Sequence, residues 1–247
     1  MKRWTVEENK IMSENYGKVS TGGLALRLRR SRKAIIDHAY WLGLHYYPEM
    51  PYSLTIEQTQ VIIGSLLGDA HCRPARHNPG LQFCCKEADT DYLVWKYEIL
   101  KSLCGNLGFH PYTDKRGNSV MVQFNTRSSP LLREFHQAFY INSRKIYPVN
   151  KLPELEALGL AVWFMDDGSI SKGFARLATL GFTIEENCSI KDYFKKQWNI
   201  GAKVQFDNNG NHKLPYLEFN KAETQKLIDI ISPYILPCMS RKIGLRS

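Results

Sequence analysis

No run of apolar residues in this chain of 247 approaches the length that crosses a bilayer as a helix, about 20 residues, so no membrane partner is expected. No basic start followed by an apolar stretch opens the chain, so a secretory leader is not expected. A cytoplasmic location, in a bacterial or phage host with an organelle left open, is the matching expectation. The six cysteines never stand in CxxC spacing, and free thiols in a reducing compartment are expected. His71, Cys72 and His77 are the nearest approach to a zinc-ligand group. Glycine and proline, at 17 and 11 residues, sit at ordinary levels, which excludes collagen-like and low-complexity classes. What remains is 43% hydrophobic and 23% charged, enough for one large or two to three small folded domains.

Acidic residues are also short in supply: 24 against 33 basic ones, a formal net charge of +9. A strong positive balance points to a polyanion partner, of which nucleic acid is the commonest. The excess is uneven. Residues 1–48 carry nine basic and four acidic groups, while 49–148 carry eleven and nine and 149–247 carry thirteen and eleven. The basic first segment reads as three short helices. Thr5 and Glu8 make a capping box for the first, the second covers about Thr21 to Leu28, and Ser31 caps a third that runs to Leu42 before Gly43. Ala34, Ile35, His38, Ala39 and Leu42 share one face of the third helix. Trp4-Thr5, Glu7-Glu8, Leu24-Ala25, Leu28, Arg30-Ser31, Ala34-Ile35 and Leu42-Gly43-Leu44 carry a resemblance to small Myb-like or resolvase-like helix-turn-helix modules. That resemblance implies that Arg27, Arg29, Arg30, Arg32 and Lys33, clustered at the turn and the third helix, meet DNA.

After a Pro-containing linker, one order of elements occurs twice. An apolar helix runs from Ile56 to Ala70, a hairpin covers Cys72 to Lys86, and a helix covers Asp89 to Leu103. Strands at Phe109–Asp114 and Ser119–Thr126 and a helix at Pro130–Tyr140 complete the first unit. The second has a helix at Pro153–Asp167, strands at Ile170–Lys172 and Phe174–Thr179, and a helix at Ile184–Trp198. Strands at Ala202–Phe206 and Tyr216–Phe219 and a helix at Lys221–Ile231 close it. Asp69 and Asp167 end the two apolar helices 98 residues apart. Such a period is a domain-scale duplication, giving units 1–48, 49–148 and 149–247. The expected fold class is α+β, with two pseudo-symmetric αββαββα repeats.

A carboxylate at the negative end of a helix is unfavourable unless a cation lies nearby. Two such ends brought together gather hard oxygen ligands of the kind that Mg²⁺ takes. Gly64 and Gly68, four apart, lie on one helix face and allow a partner helix close. Ile62-Ile63-Gly64-Ser65-Leu66-Leu67-Gly68-Asp69-Ala70 and Leu160-Ala161-Val162-Trp163-Phe164-Met165-Asp166-Asp167-Gly168 resemble the two signature helices of the LAGLIDADG homing endonucleases. Trp163 to Gly168 and the closing Pro237-Cys238-Met239-Ser240-Arg241-Lys242 are similar to the single-chain, two-repeat branch. Val162 and Asp166 stand where the first helix has Gly64 and Gly68, so an asymmetric helix interface is expected and Asp166 is left as helix-end structure.

The resemblance implies a monomer whose two repeats form a DNA-binding saddle. It also implies Mg²⁺- or Mn²⁺-dependent hydrolysis of both strands of a long asymmetric duplex site, leaving 3′ overhangs. Asp69 and Asp167 would hold metal with the carbonyls of Ala70 and Gly168, and Gln82 and Lys242 would act at the scissile phosphates. The first-repeat counterpart of Lys242 is not evident, and Asn125 and Arg127 are the candidates to replace it. Ala178-Thr179 stands where a counterpart of Gln82 is expected. The implied DNA face takes in Arg73, Arg76, Lys86, Lys115, Arg116, Asn118, Gln123, Arg127, Lys172, Arg176, Lys203, Gln205, Asn208 and Lys213, because Arg, Asn and Gln read base edges and Lys mostly meets phosphate. The rival readings are a maturase-like protein that holds intron RNA, a non-cleaving regulator, and a scaffold in which residues 1–48 alone bind DNA.

Overall fold

The computed structural model describes residues 3–16, 19, 21–44, 51–73, 78–104, 109–113, 120–149, 154–209 and 212–244. Three helices come first: α1 (Val6–Asn15), α2 (Thr21–Arg27) and α3 (Arg32–Trp41). The Thr5–Glu8 capping box forms, and Ser31 accepts from the Ala34 amide to start α3. Met12, Leu24, Ala25, Leu28, Ile35 and Ala39 close a small core of their own, distinct from that of the rest of the chain.

The duplication is visible in the strand order. In the first repeat, α4 (Ile56–Leu67) leads into β1 (His71–Arg73), β2 (Gly80–Lys86), α5 (Thr90–Leu100), β3 (His110–Thr113), β4 (Val120–Asn125) and α6 (Arg133–Phe139). A two-residue hairpin follows, β5 (Tyr140–Ile141) and β6 (Arg144–Lys145). In the second repeat, α7 (Ala157–Asp167) leads into β7 (Gly168–Ser171), β8 (Phe174–Leu177), α8 (Ile184–Trp198), β9 (Lys203–Asn209), β10 (His212–Phe219) and α9 (Lys221–Ile231). The two antiparallel sheets have matching orders, β1-β2-β4-β3 and β7-β8-β10-β9. Phe83 and Phe124 stack in the first core, and Phe194 meets Phe219 edge-on in the second.

Both apolar helices are shorter than the pattern alone indicates. Gly68 leaves the helical region at φ −92°, ψ −128°, so α4 stops at Leu67 and Asp69 lies beyond it. By contrast α7 runs through Asp167. Between repeats, the β5–β6 hairpin was not anticipated. Its turn residues Asn142 and Ser143 both have positive φ (49° and 64°), the type I′ geometry that matches strand twist.

The repeats join along α4 and α7, and backbone meets backbone there. A Cβ on Gly64 would collide with the carbonyl of Gly159 and stand 2.8 Å from the Val162 Cβ, and one on Gly68 would stand 2.5 Å from the Asp166 Cβ. Gln60 secures the crossing, donating to the Glu154 carbonyl at 2.7 Å and accepting from the Glu156 amide at 2.8 Å, which satisfies the start of α7. The asymmetry expected from sequence is thus Gly64 against Val162 and Gly68 against Asp166.

Gly64→Val should destabilise the protein by about 3 kcal/mol or more, because the backbone of Gly159 cannot yield as a side chain can. Gly181→Ala, with no atom within 4 Å of the new carbon, is the control and should be close to neutral. Chemical denaturation of both variants measures the difference.

Candidate active site and nucleic-acid face

The α4–α7 crossing brings the ends of the two apolar helices together. Asp69 is exposed and Asp167 half-buried. Between them the Asp166 side chain is buried and ion-paired to Lys96 at 2.8 Å. Each end also carries a lysine. Lys242 donates to the Asp166 carbonyl at 2.9 Å, and Lys145 donates to the Gly68 carbonyl at 2.7 Å and that of Ala70 at 3.3 Å. Both lysines hold the carbonyl one residue before an acid, so Lys145 is the first-repeat counterpart of Lys242. Asn125 and Arg127 do not take that place. Asn125 pairs with Gln82 within the sheet, and Arg127 donates to the Ser102 carbonyl at 3.0 Å. The sequence pattern missed Lys145 because it lies on the unanticipated hairpin.

Two cavities open at the acids. One of about 420 Å³ is lined by Asp69, Lys86, Lys96, Asp166 and Lys242 among others, and one of about 280 Å³ by Gly68, Lys145, Asp167 and Ala178 among others. Each acid therefore shares its cavity with the lysine of the other repeat. Burial, then the Asp69 and Asp166 charges, push the Asp167 carboxyl up to about 8, with Lys145 and Lys242 opposing. Burial and Asp166 also raise Asp69, and burial lowers both Lys145 and Lys242. Burial is thus the first cause of all four shifts: it disfavours the charged form of acid and lysine alike, a cost that a cation beside the carboxylates would oppose. The carbonyl of Ala70 already faces a cation, the Lys145 ammonium. Among the described residues no group of three or more His, Cys, Asp or Glu could hold a metal, so the fit rests on two carboxylates and carbonyls. Cys72 is fully buried, and His77 lies outside the described residues.

Strand register refines the surroundings. Gln82 pairs with His71 and Asn125 and donates its amide to Gln123. Continuing the β1–β2 register places Cys84, not Gln82, across from Asp69, and Cys84 lines the Asp69 cavity. In the second repeat the Ala178 amide bonds the Asp167 carbonyl, and Arg176 pairs with Ser169 as Gln82 does with His71. Arg176 is therefore the register counterpart of Gln82, in place of Ala178-Thr179. His71 is a further residue that the pattern passed over. The Tyr140 hydroxyl accepts from the Cys72 amide at 3.0 Å and is hydrogen-bonded to His71 Nδ1 at 3.1 Å, which ties the ring of His71 to the β5–β6 hairpin.

Alternation along the strands separates core from the open face of each sheet. Arg73, Lys86 and Gln123 share the open face of the first sheet with His71, Gln82 and Cys84, and Arg73 is drawn to the Thr126 carbonyl at 3.4 Å. Arg176, Lys203 and Gln205 share that of the second sheet. There Arg176 pairs with Asp207 at 2.6 Å and lies 3.8 Å over the Tyr216 ring, and Gln205 donates to Glu218. Lys172 sits in the β7–β8 turn with φ 52°. Lys213 departs from expectation, since it falls on the parity of buried Pro215 and Leu217 and not on the open face. Asn208 is its pairing partner in the ladder. Arg76, Lys115, Arg116 and Asn118 lie outside the described residues.

In the N-terminal unit, Arg27, Arg29, Arg32 and Lys33 are exposed, with Lys33 paired to Asp37 at 3.2 Å. Arg30 does not belong with them. It makes a bidentate pair with Glu8 at 3.1 and 2.9 Å, donates to the Arg3 carbonyl and lies 4.5 Å over Trp4. Trp4 in turn stacks on His38 at 3.8 Å. Arg30 is the staple between the start of the unit and its turn, a role invisible in a run of basic residues.

Comparison with known proteins bears on the family and the fold. Residues 59–227 match the profile of the LAGLIDADG DNA endonuclease family. A protein RecA of Mycobacterium shimoidei is 29% identical over 210 residues, which are 78% of this chain and 48% of that protein. The chain thus spans about half the length of the first of the curated relatives it matches. The DNA endonuclease I-ChuI of Chlamydomonas applanata is 27% identical over 210 residues, 78% of this chain and 96% of that protein. The structure of the homing endonuclease I-WcaI bound to its DNA recognition sequence shares the fold, with a TM-score of 0.71 and 21% identity over 86% of this chain and 93% of that one. No described helix is long and apolar enough to cross a membrane.

The raised Asp167 carboxyl makes stability depend on pH. An acid whose pKa is higher folded than unfolded costs nothing below about pH 4, and its penalty grows as pH rises to about 8. Asp167→Asn should therefore be more stable than the parent at pH 9 in chelator, by ~2 kcal/mol after allowance for water at this half-buried site, and equal to it near pH 4. Added Mg²⁺ should narrow the gap by stabilising only the parent. Thermal melts across pH, with chelator and with Mg²⁺, check the sign.

Proposed function

The chain belongs to the LAGLIDADG DNA endonuclease family, and from that premise we propose that it is a site-specific homing endonuclease that acts as a monomer. It makes a Mg²⁺- or Mn²⁺-dependent double-strand break at a long asymmetric duplex target and leaves 3′ overhangs. The single observation that carries the reading is the meeting of two acids from two repeats, each in a cavity with the lysine of the other repeat. One acid per strand is the arrangement that two phosphodiester cuts need.

Asp69 and Asp167 would hold the cations, with the carbonyl of Gly168 as a further oxygen ligand and that of Ala70 joining by exchanging its long 3.3 Å contact with the Lys145 ammonium for the metal. A divalent cation there supplies Lewis acidity and lowers the pKa of bound water. Lys145 and Lys242 keep the two helix ends in place and offer ammonium donors to charge that grows on the phosphate. Gln82 would order water on the first-repeat side. The open sheet faces would lie along the duplex, where Arg73, Gln123, Arg176 and Gln205 reach for base edges and Lys86, Lys172 and Lys203 for phosphates. The N-terminal unit would be a second DNA contact through Arg27, Arg29, Arg32 and Lys33.

Asp69→Asn and Asp167→Asn should each abolish double-strand cleavage while leaving DNA affinity within a few-fold of the parent, since affinity comes from contacts spread over both sheets. Plasmid linearisation and binding in Ca²⁺ measure the two separately, and linearisation at the parent rate by both variants refutes the assignment. A structured intron RNA in the same titration should bind more weakly than target duplex.

A chain beginning at Tyr52 should keep Mg²⁺-dependent cleavage but bind target DNA more weakly, with a shallower dependence of log K on log salt. Titrations at several salt concentrations decide this. Equal affinity and equal slope would remove the N-terminal unit from the DNA interface.

A further inference from the structure

The two acids are not supported in the same way. Asp167 is the last residue of α7, so the helix itself orients it. Asp69 lies two residues beyond the end of α4. The Gly68 amide still bonds the Gly64 carbonyl, and the Ala70 amide reaches back to that of Ser65 at 2.8 Å. The Asp69 amide between them instead meets Asp166 Oδ2 at 3.4 Å.

Asp166 is equipped for that task. Its side chain is 2% exposed and that of Lys96 5%. Lys96 donates to Oδ1 at 2.8 Å and Oδ2 at 3.0 Å, and the Tyr92 hydroxyl donates to Oδ1 at 2.9 Å. Lys96 also lies 4.3 Å from the Tyr92 ring centre. A buried carboxylate with these donors has one fixed orientation. The peptide unit joining Gly68 to Asp69 is thus held at both ends, its carbonyl by Lys145 at 2.7 Å and its N–H by Asp166.

Packing does not require this polar set. Ile190 and Phe194 occupy the positions 98 residues after Tyr92 and Lys96, both fully buried, and the residue equivalent to Asp166 is Gly68. The same fold therefore fills this place with hydrocarbon in its other half. Buried ion pairs often contribute little net stability compared with apolar replacements. A polar cluster kept on one side only, and touching an acid that has left its helix, has positioning as its natural role.

We propose that Lys96, Asp166 and Tyr92 are positioning residues dedicated to Asp69, replacing the helical turn that α4 lacks, so that they govern one of the two strand cuts and not the other. The proposal rests on the nuclease reading above for its strand-specific consequence, but not for the contact itself.

The test uses the full chain and a duplex target carrying a different fluorophore on each strand. The strand that Asp69→Asn slows more is taken as the strand Asp69 serves. Asp166→Asn and Lys96→Met should slow that strand at least tenfold more than the other, so that nicked duplex accumulates. In metal-free protein, exchange of the Asp69 amide should be faster in Asp166→Asn than in the parent. The double variant Lys96→Met/Asp166→Leu guards against simple unfolding, because an apolar pair restores packing without restoring the acceptor. Parental thermal stability with persisting strand bias supports positioning. Equal slowing of both strands, or loss of bias once stability is restored, overturns it. If the parent cuts neither strand, the nuclease reading fails, and unchanged Asp69 amide exchange in Asp166→Asn then overturns the contact on its own.

Discussion

The close crossing of α4 and α7 is the constraint on which the rest depends. Gly64 against Gly159, and Gly68 against the Asp166 Cβ, bring two backbones together with no room for a further carbon. That approach places two helix ends, and so two carboxylates, beside each other and beside the buried Asp166. Burial and mutual repulsion then act together on the acids, which is why Asp167 holds its proton to about 8 although two lysines oppose the shift. The electrostatics of the site are a consequence of the packing of small residues one to eight positions before the acids.

The duplication supplies the site with pairs, and the differences within the pairs give it direction. Lys145 and Lys242 do equivalent work from non-equivalent elements, a two-residue hairpin and a 3₁₀ turn. Cys84 and Ala178 stand across from the two acids, and Gln82 and Arg176 come two residues before them. The Arg176–Asp207 pair and the Gln205–Glu218 contact give the second open face a mixed charge pattern, whereas the first carries Arg73, Lys86 and His71. An asymmetric duplex is the natural complement of two such unlike faces.

Legibility in the sequence followed the range of the interaction. The Thr5–Glu8 cap is read directly from its spacing, and the structure adds the same three-residue pairing of Thr55 with Gln58 and Thr183 with Glu186 ahead of the helices that start at Ile56 and Ile184. The helices at Ile184–Trp198 and Lys221–Ile231 have the bounds that their periodicity indicates. The end of α4 was misjudged because the apolar pattern continues past Gly68, while the backbone at that glycine does not. The β5–β6 hairpin went unread because Asn142-Ser143 is a weak turn signal between two strands of only two residues.

The sequence alone determined the duplication, the two acids 98 residues apart, the glycines that permit the crossing and the basic N-terminal unit, because each is written in local spacing or in residue type. Tertiary structure decided which charged groups serve which end. Lys145 reaches Gly68 across 77 residues and Lys96 reaches Asp166 across 70, while Arg30, one of a run of arginines, turns inward to Glu8 across 22. Nothing in the local pattern distinguishes these side chains from their exposed neighbours. Their roles arise only when the crossing and the sheet register bring distant segments into contact, and burial then makes a buried cation bind the nearest oxygen instead of water.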